Sequence, residues 1–109
     1  MRILAVDTTT PSGSVAVLED KRLLAEIGVE SASTHSVRLF SSVSALLDAL
    51  HLNILEIDGF AVTPGPGSFT GIRIGLSAIK SFALASGKPI AAVSSLKAMA
   101  WKEIGRAHV

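Results

Sequence analysis

The sequence predicts an α/β domain: a three-strand meander joined to parallel strands, with helices flanking the sheet. Three observations carry this expectation. The apolar run Ile3-Leu4-Ala5-Val6 ends on Asp7 and reads as a strand buried on both faces. Two more strand-like runs follow it before any helical period begins. After residue 33, two long segments with apolar residues at helical spacing alternate with two short apolar runs. The composition agrees: 109 residues, 49% hydrophobic and 17% charged, with mean hydropathy +0.52, describe one well-cored domain and exclude disorder. A domain of this size buries only about two-thirds of its unfolded surface, so part of the apolar fraction is available to a partner.

Taken in order, residues 8–13 supply turn chemistry through Pro11, Ser12 and Gly13, and residues 14–18 form the second strand. Glu19, Asp20, Lys21 and Arg22 make a charged hairpin tip. Leu23, Ala25, Ile27 and Val29 then alternate with Leu24, Glu26, Gly28 and Glu30, the period of a strand near a sheet edge with one wet face. Ser33 or Thr34 can cap a helix running to about Leu50, whose core stripe is Leu39, Val43, Leu46 and Leu50. Asn53 caps a single turn, and residues 59–63 form a strand stopped by Pro64. A second long helix runs from Phe69 to about Ser86 and is closed by Gly87 and Pro89. Its core stripe is Ile72, Leu76, Ile79 and Ala83. A second stripe holds Gly71, Ile74, Gly75, Ala78 and Phe82. Residues 90–93 are the last strand, and Ser94 or Ser95 opens a further helix.

Charge and composition exclude several functions. Ten basic against nine acidic residues leave +1, with Lys21-Arg22 the one adjacent basic pair, so no basic stripe is present to follow a phosphate backbone. The absence of cysteine excludes a disulfide scaffold and any thiolate metal site. Met1-Arg2 leads straight into a strand, and no apolar run reaches the roughly 18 residues a membrane span needs, so a cytoplasmic location without membrane association is expected. Residues 103–109 back-translate to a common sequencing adapter. They are expected to be a non-native tail, leaving 1–102 as the N-terminal part of a longer protein.

Two stretches could carry chemistry. Asp7-Thr8-Thr9-Thr10 closes a buried strand, and its hydroxyls, amides and carboxylate could hold a phosphate or a metal-bound water; equally, they could simply bond the turn. Thr63-Pro64-Gly65-Pro66-Gly67-Ser68-Phe69-Thr70-Gly71 is a stiff, glycine-rich helix entry. It lacks the lysine of a Walker loop, and its glycines do not have dinucleotide-binding spacing. Gly71 and Gly75, four apart in the helix, suggest close helix packing rather than catalysis. His35 and His51 have no carboxylate cluster around them, and no Ser/His/Asp set is evident, so neither a metal site nor nucleophilic catalysis is expected.

Across residues 1–101 the chain resembles the N-terminal half of the TsaB (YeaZ) family, the dimerization subunits of bacterial tRNA threonylcarbamoyladenosine synthesis. The resemblance rests on Met1-Arg2-Ile3-Leu4-Ala5-Val6-Asp7-Thr8, on Thr34-His35-Ser36, and above all on Gly65-Pro66-Gly67-Ser68-Phe69-Thr70-Gly71-Ile72-Arg73-Ile74-Gly75. It implies one half of an actin-like, ribonuclease-H-like ATPase fold. The catalytic relative TsaD carries a His-x-x-x-His metal pair where this chain has Ser95 and Met99, so metal-dependent transfer does not carry over. Asp7, Thr8, Thr9 and Thr10 correspond to the nucleotide-cradling turn, but threonines replace the usual glycine. ATP is therefore expected at the level of a complex and not on this chain alone.

The resemblance thus implies a non-catalytic subunit. It would support a TsaD-type catalytic subunit, with a TsaE-type ATPase in the same complex, in transferring threonylcarbamoyl to N6 of adenosine 37 in tRNAs that read A-starting codons. The tRNA would be contacted only indirectly, and a homodimer is possible. An actin-fold sugar kinase or ATPase half-domain, or a homodimeric scaffold unrelated to tRNA, are the alternatives. The expected interface is Phe40 and Leu47 on the first helix with Gly71, Ile74, Gly75, Ala78 and Phe82 on the second. The competing reading is that these residues complete the core.

Overall fold

The computed structural model describes residues 1–9, 11–20, 22–30, 36–63 and 69–93. They form five strands and two long helices: β1 (Arg2–Asp7), β2 (Ser12–Glu19), β3 (Arg22–Glu30), α1 (Ser36–Ala49), a single 3-10 turn (Ile54–Glu56), β4 (Gly59–Val62), α2 (Phe69–Ser86) and β5 (Ile90–Ala92). The sheet order is β3-β2-β1-β4-β5. β1 pairs antiparallel with β2 and parallel with β4, and β4 pairs parallel with β5. The antiparallel meander on a parallel core is the arrangement the order of elements predicts. The predicted helix after residue 93 and the 103–109 tail lie outside the described residues.

β1 occupies the centre because its middle needs no water: Leu4, Ala5 and Val6 are fully buried, with the charged Arg2 and Asp7 at its two ends. Strand alternation sends Leu4 and Val6 into one cluster with Val15, Val17, Phe60 and Val62, and Ala5 into a second with Ala16, Leu18 and Ala61. α1 and α2 fill the first cluster with Leu39, Val43, Leu46, Ala78, Ile79 and Ala83. Each fully buried aliphatic side chain contributes about 1.5–3 kcal/mol of transfer free energy. That is the main force holding both helices to the sheet.

Several expectations shift. β2 begins at Ser12, not Ser14, because Ser12 and Gly13 pair with Glu30 and Val29 beyond the end of β1. Glu19 and Arg22 belong to the strands, and Asp20 takes the left-handed turn position at φ 46°. In β3, Leu23 is exposed and Leu24 packs toward the core instead, since the ladder slips at Val17/Leu18 and an extra residue there re-aims the side chains. In α1, Leu47 takes the buried place expected of Leu50, which is only half-buried. The helix stops at Ala49. His51 at φ 56° and the bonds from Leu52 N–H to Leu47 C=O (2.9 Å) and from His51 N–H to Asp48 C=O (3.1 Å) then turn the chain away.

Other punctuation is where the sequence puts it. The Asn53 side chain accepts from Leu55 N–H at 2.9 Å, and its own N–H donates to Glu56 Oε1 at 3.0 Å, closing a capping box. Gly87, at φ 71°, ends α2 by donating to Ala83 C=O at 2.8 Å.

Candidate functional site

Two features of this frame are candidates for function: the loop where β1 ends, and the outward face shared by α1 and α2. In the loop, Asp7 Oδ1 accepts from Thr9 N–H at 2.9 Å and from Thr9 Oγ1 at 2.6 Å, so this oxygen stiffens its own turn. Thr8 is fully buried and donates from Oγ1 to the Gly71 carbonyl of α2 at 2.5 Å. On the neighbouring parallel strand, Thr63 N–H donates to Val6 C=O at 3.2 Å, which sets the ends of β1 and β4 side by side. Asp7, Thr8 and Thr9 are therefore gathered at the expected place, but the Thr8 hydroxyl is committed within the chain. Thr10 lies outside the described residues. Among the described residues, no group of three or more His, Cys, Asp or Glu could hold a metal.

Gly75 explains itself here. A Cβ at that position would stand 2.2 Å from Thr8 Oγ1, so α2 sits on the threonine with bare backbone. The pairing of Gly71 and Gly75 with a second helix is corrected accordingly. Both glycines are buried, and the close approach Gly75 permits is to the end of β1, more than sixty residues earlier in the chain.

The helix face is built around Phe40 and Phe82. Phe40 is 40% exposed although large and apolar, and Phe82 and Ile74 are half-buried. An open groove lies on each side of Phe40. One has Ser36, Thr70, Arg73, Ile74 and Ser77 among its walls; the other has Leu47, Leu52, Ile54 and Phe82. Of the seven residues expected at an interface, Phe40, Ile74 and Phe82 thus reach the surface between the helices. Leu47 and Ala78 also line these grooves, but at 6% and 1% exposure they do so from the core beneath. The sequence reading missed Leu52 and Ile54, because they belong to the connection after α1 and follow no helical period.

Comparison with known proteins places the chain in a family. The sequence profile of the family described as "TsaD: tRNA N6-adenosine threonylcarbamoyltransferase" matches residues 24–107. The Bacillus subtilis tRNA threonylcarbamoyladenosine biosynthesis protein TsaB is 37% identical over 100 residues, covering 92% of this chain and 44% of that protein. Its Escherichia coli namesake is 36% identical over 112 residues, covering 100% and 48%. The chain spans about half the length of the curated relatives it matches.

Among solved structures, YeaZ from Pseudomonas aeruginosa superposes with a TM-score of 0.77 at 37% identity, over 87% of this chain and 43% of that one. Thermus thermophilus RuvC reaches 0.58 at 19% identity, over 85% and 63%, a likeness of fold alone. The five-strand mixed sheet with its flanking helices is thus of the ribonuclease-H-like type, and the chain belongs to the TsaB/YeaZ family of tRNA threonylcarbamoyladenosine biosynthesis proteins.

Proposed function

We propose that the protein is a non-catalytic subunit of the machinery that transfers threonylcarbamoyl to N6 of adenosine 37 in tRNAs reading A-starting codons. It docks on a TsaD-type catalytic subunit through the face between α1 and α2. The observation that carries this reading is the half-open aromatic pair Phe40 and Phe82 with a groove on either side. Apolar faces of this kind are seldom left bare. A near-neutral charge leaves tRNA contact to other members of the assembly, among them a TsaE-type ATPase. The fold is read as one half of an actin-like pair, working in the cytoplasm. Among the described residues, no helix is long and apolar enough to cross a membrane.

ATP belongs to the complex in this reading. The Thr8 hydroxyl is bonded to Gly71, and one Asp7 oxygen is bonded twice to Thr9, which supports a loop that bonds itself rather than a phosphate. Calorimetric titration of ATP into the isolated chain is expected to be silent. Deleting the gene should abolish threonylcarbamoyladenosine in bulk tRNA, and unchanged nucleoside levels would overturn the assignment. Phe40→Glu should lose co-purification with the TsaD-type subunit. Retention of the partner at wild-type yield would move the interface elsewhere, toward a second copy on another face.

A further inference from the structure

We infer that Thr8, at the end of β1, is a positioning residue for partner binding: it sets the seating of α2 and with it the shape of the docking groove. The inference rests on the docking reading above and assigns a task to a residue outside the docking face itself. Thr8 is fully buried, and its Oγ1 does two things at once. It donates to the Gly71 carbonyl at 2.5 Å, and it fills the notch left by the missing side chain of Gly75. Over this turn the α2 backbone rests directly on the threonine, so the distance between helix and sheet is the size of that one side chain. Asp7 fixes the support from below, because the two hydrogen bonds its Oδ1 accepts from Thr9 close the turn in which Thr8 sits.

The groove is carried on the same turn of helix. Thr70, Arg73 and Ile74 line one wall and are interleaved in sequence with Gly71 and Gly75, whereas Ser36 and Phe40 line the other wall from α1. α1 is held by Leu39, Val43 and Leu46 in the core and touches α2 through Phe40 against Phe82. The later part of α2 is held by Ala78, Ile79 and Ala83, and by Phe82 stacked on Phe60 at 5.9 Å. A change of size at the contact between positions 8 and 75 therefore tilts the first half of α2 about an anchored second half and moves Thr70, Arg73 and Ile74 relative to Ser77, Ala78 and Ser81 of the same wall and to the α1 wall they face. Packed interiors transmit such displacements because they have no slack to absorb them.

The test is a size exchange in the full chain, read in two ways: affinity for the TsaD-type subunit, and backbone amide NMR shifts on both groove walls. Gly75→Ala, whose new Cβ meets Thr8 Oγ1 at 2.2 Å, should weaken binding by about tenfold or more and shift the amides of Ser36 and Phe40 as well as those around position 75. Adding Thr8→Ala leaves the two Cβ atoms 3.4 Å apart, an ordinary contact, and should bring affinity back to within about threefold of wild type. Thr8→Ser, which keeps the hydroxyl, should stay closer to wild type than Thr8→Ala.

Wild-type affinity in Gly75→Ala, a double variant no better than Gly75→Ala, or amide shifts that leave Ser36 and Phe40 unmoved would each overturn the inference. Should Gly75→Ala not fold, the comparison of Thr8→Ser with Thr8→Ala decides, and equal affinities count against it. A wild-type chain that does not bind the TsaD-type subunit refutes the docking reading instead, and the amide shifts still decide whether Thr8 seats α2.

Discussion

The rings of Phe40 and Phe82 meet edge to face, with centroids 5.4 Å apart and planes inclined at 65°. Phe82 stacks in turn on the buried Phe60, so a line of three rings leads from the sheet to the surface of the helix pair. The two ends of this line differ in what they support. Phe82→Ala removes the middle ring and should cost about 2 kcal/mol, somewhat under the range for fully buried aromatic truncations because Phe82 is half-buried. Phe40→Ala removes a ring already 40% exposed and should cost about 1 kcal/mol or less. Urea unfolding midpoints at constant slope measure both, and equal losses would place Phe40 in the core.

Gly75→Leu tests the seating of α2 on the sheet through stability alone. On an isolated helix this change is favourable by about 1 kcal/mol, because leucine is the better helix former. In this protein the new Cβ meets Thr8 Oγ1 at 2.2 Å, with the rest of the side chain still to place, so a net loss of about 2 kcal/mol or more is expected. A thermal melt unchanged from wild type would mean that α2 does not rest on Thr8.

His51→Gly should stabilise the protein by about 0.5–1 kcal/mol. His51 holds the left-handed position that closes α1 at φ 56°, a place where a Cβ is a steric cost and glycine carries none. The bonds of this turn come from backbone N–H groups, so the substitution keeps them. A shift in denaturant midpoint is the measurement, and a fall in stability would mean that the imidazole makes a contact worth more than the strain.

The chain terminus gives a pH dependence of definite sign. The Met1 ammonium donates to the Asp20 carboxylate, and that hydrogen bond, aided by the charges of Asp20, Asp58 and Glu19, raises the amine above its usual 8.0. The same bond, with the positive charges of the amine, Arg2 and Arg22, lowers Asp20 below its usual 3.8. A depressed carboxylate stabilises the fold above its unfolded value and loses that contribution as pH falls through the folded one. A raised amine stabilises below its unfolded value and loses the contribution as pH rises through the folded one. Asp20→Asn should therefore differ most from wild type between these limits, and the difference should shrink with added salt because both groups are exposed. A residue added before Met1 should mimic Asp20→Asn; an extension without effect would show that the pair contributes nothing.

What could be read without coordinates follows from how local each signal is. The burial of β1, the cap at Asn53 and the stop at Gly87 each depend on a few neighbouring residues, and all were legible. The end of α1 was legible to within a residue, but the left-handed turn at His51 was not, because a histidine holds the position where a glycine would have announced it. The depth at which Leu47 and Ala78 sit under the grooves was not legible either, because two adjacent stripes on a helix differ by a fraction of a turn, and only the sheet beneath decides which one faces it. The reason for Gly75 lay furthest out of reach. A missing side chain carries no pattern of its own, and its explanation is a threonine on a distant strand.

The position of β1 between β2 and β4 also bears on how the chain emerges during synthesis. One edge of β1 can pair as soon as β2 has been made, through a hairpin closed at Asp20, whereas its other edge must wait for Gly59–Val62. At roughly 5–20 residues per second that wait lasts several seconds. Through it the nascent protein carries a short apolar strand with unpaired amides and carbonyls along one side, which another chain could complete as readily as β4. The intervening α1, whose Leu39, Val43 and Leu46 pack on the same sheet, can form first from local contacts and shorten the effective path by which β4 arrives. Slowing translation between residues 50 and 62 should therefore raise aggregation of this protein more than slowing it after residue 93.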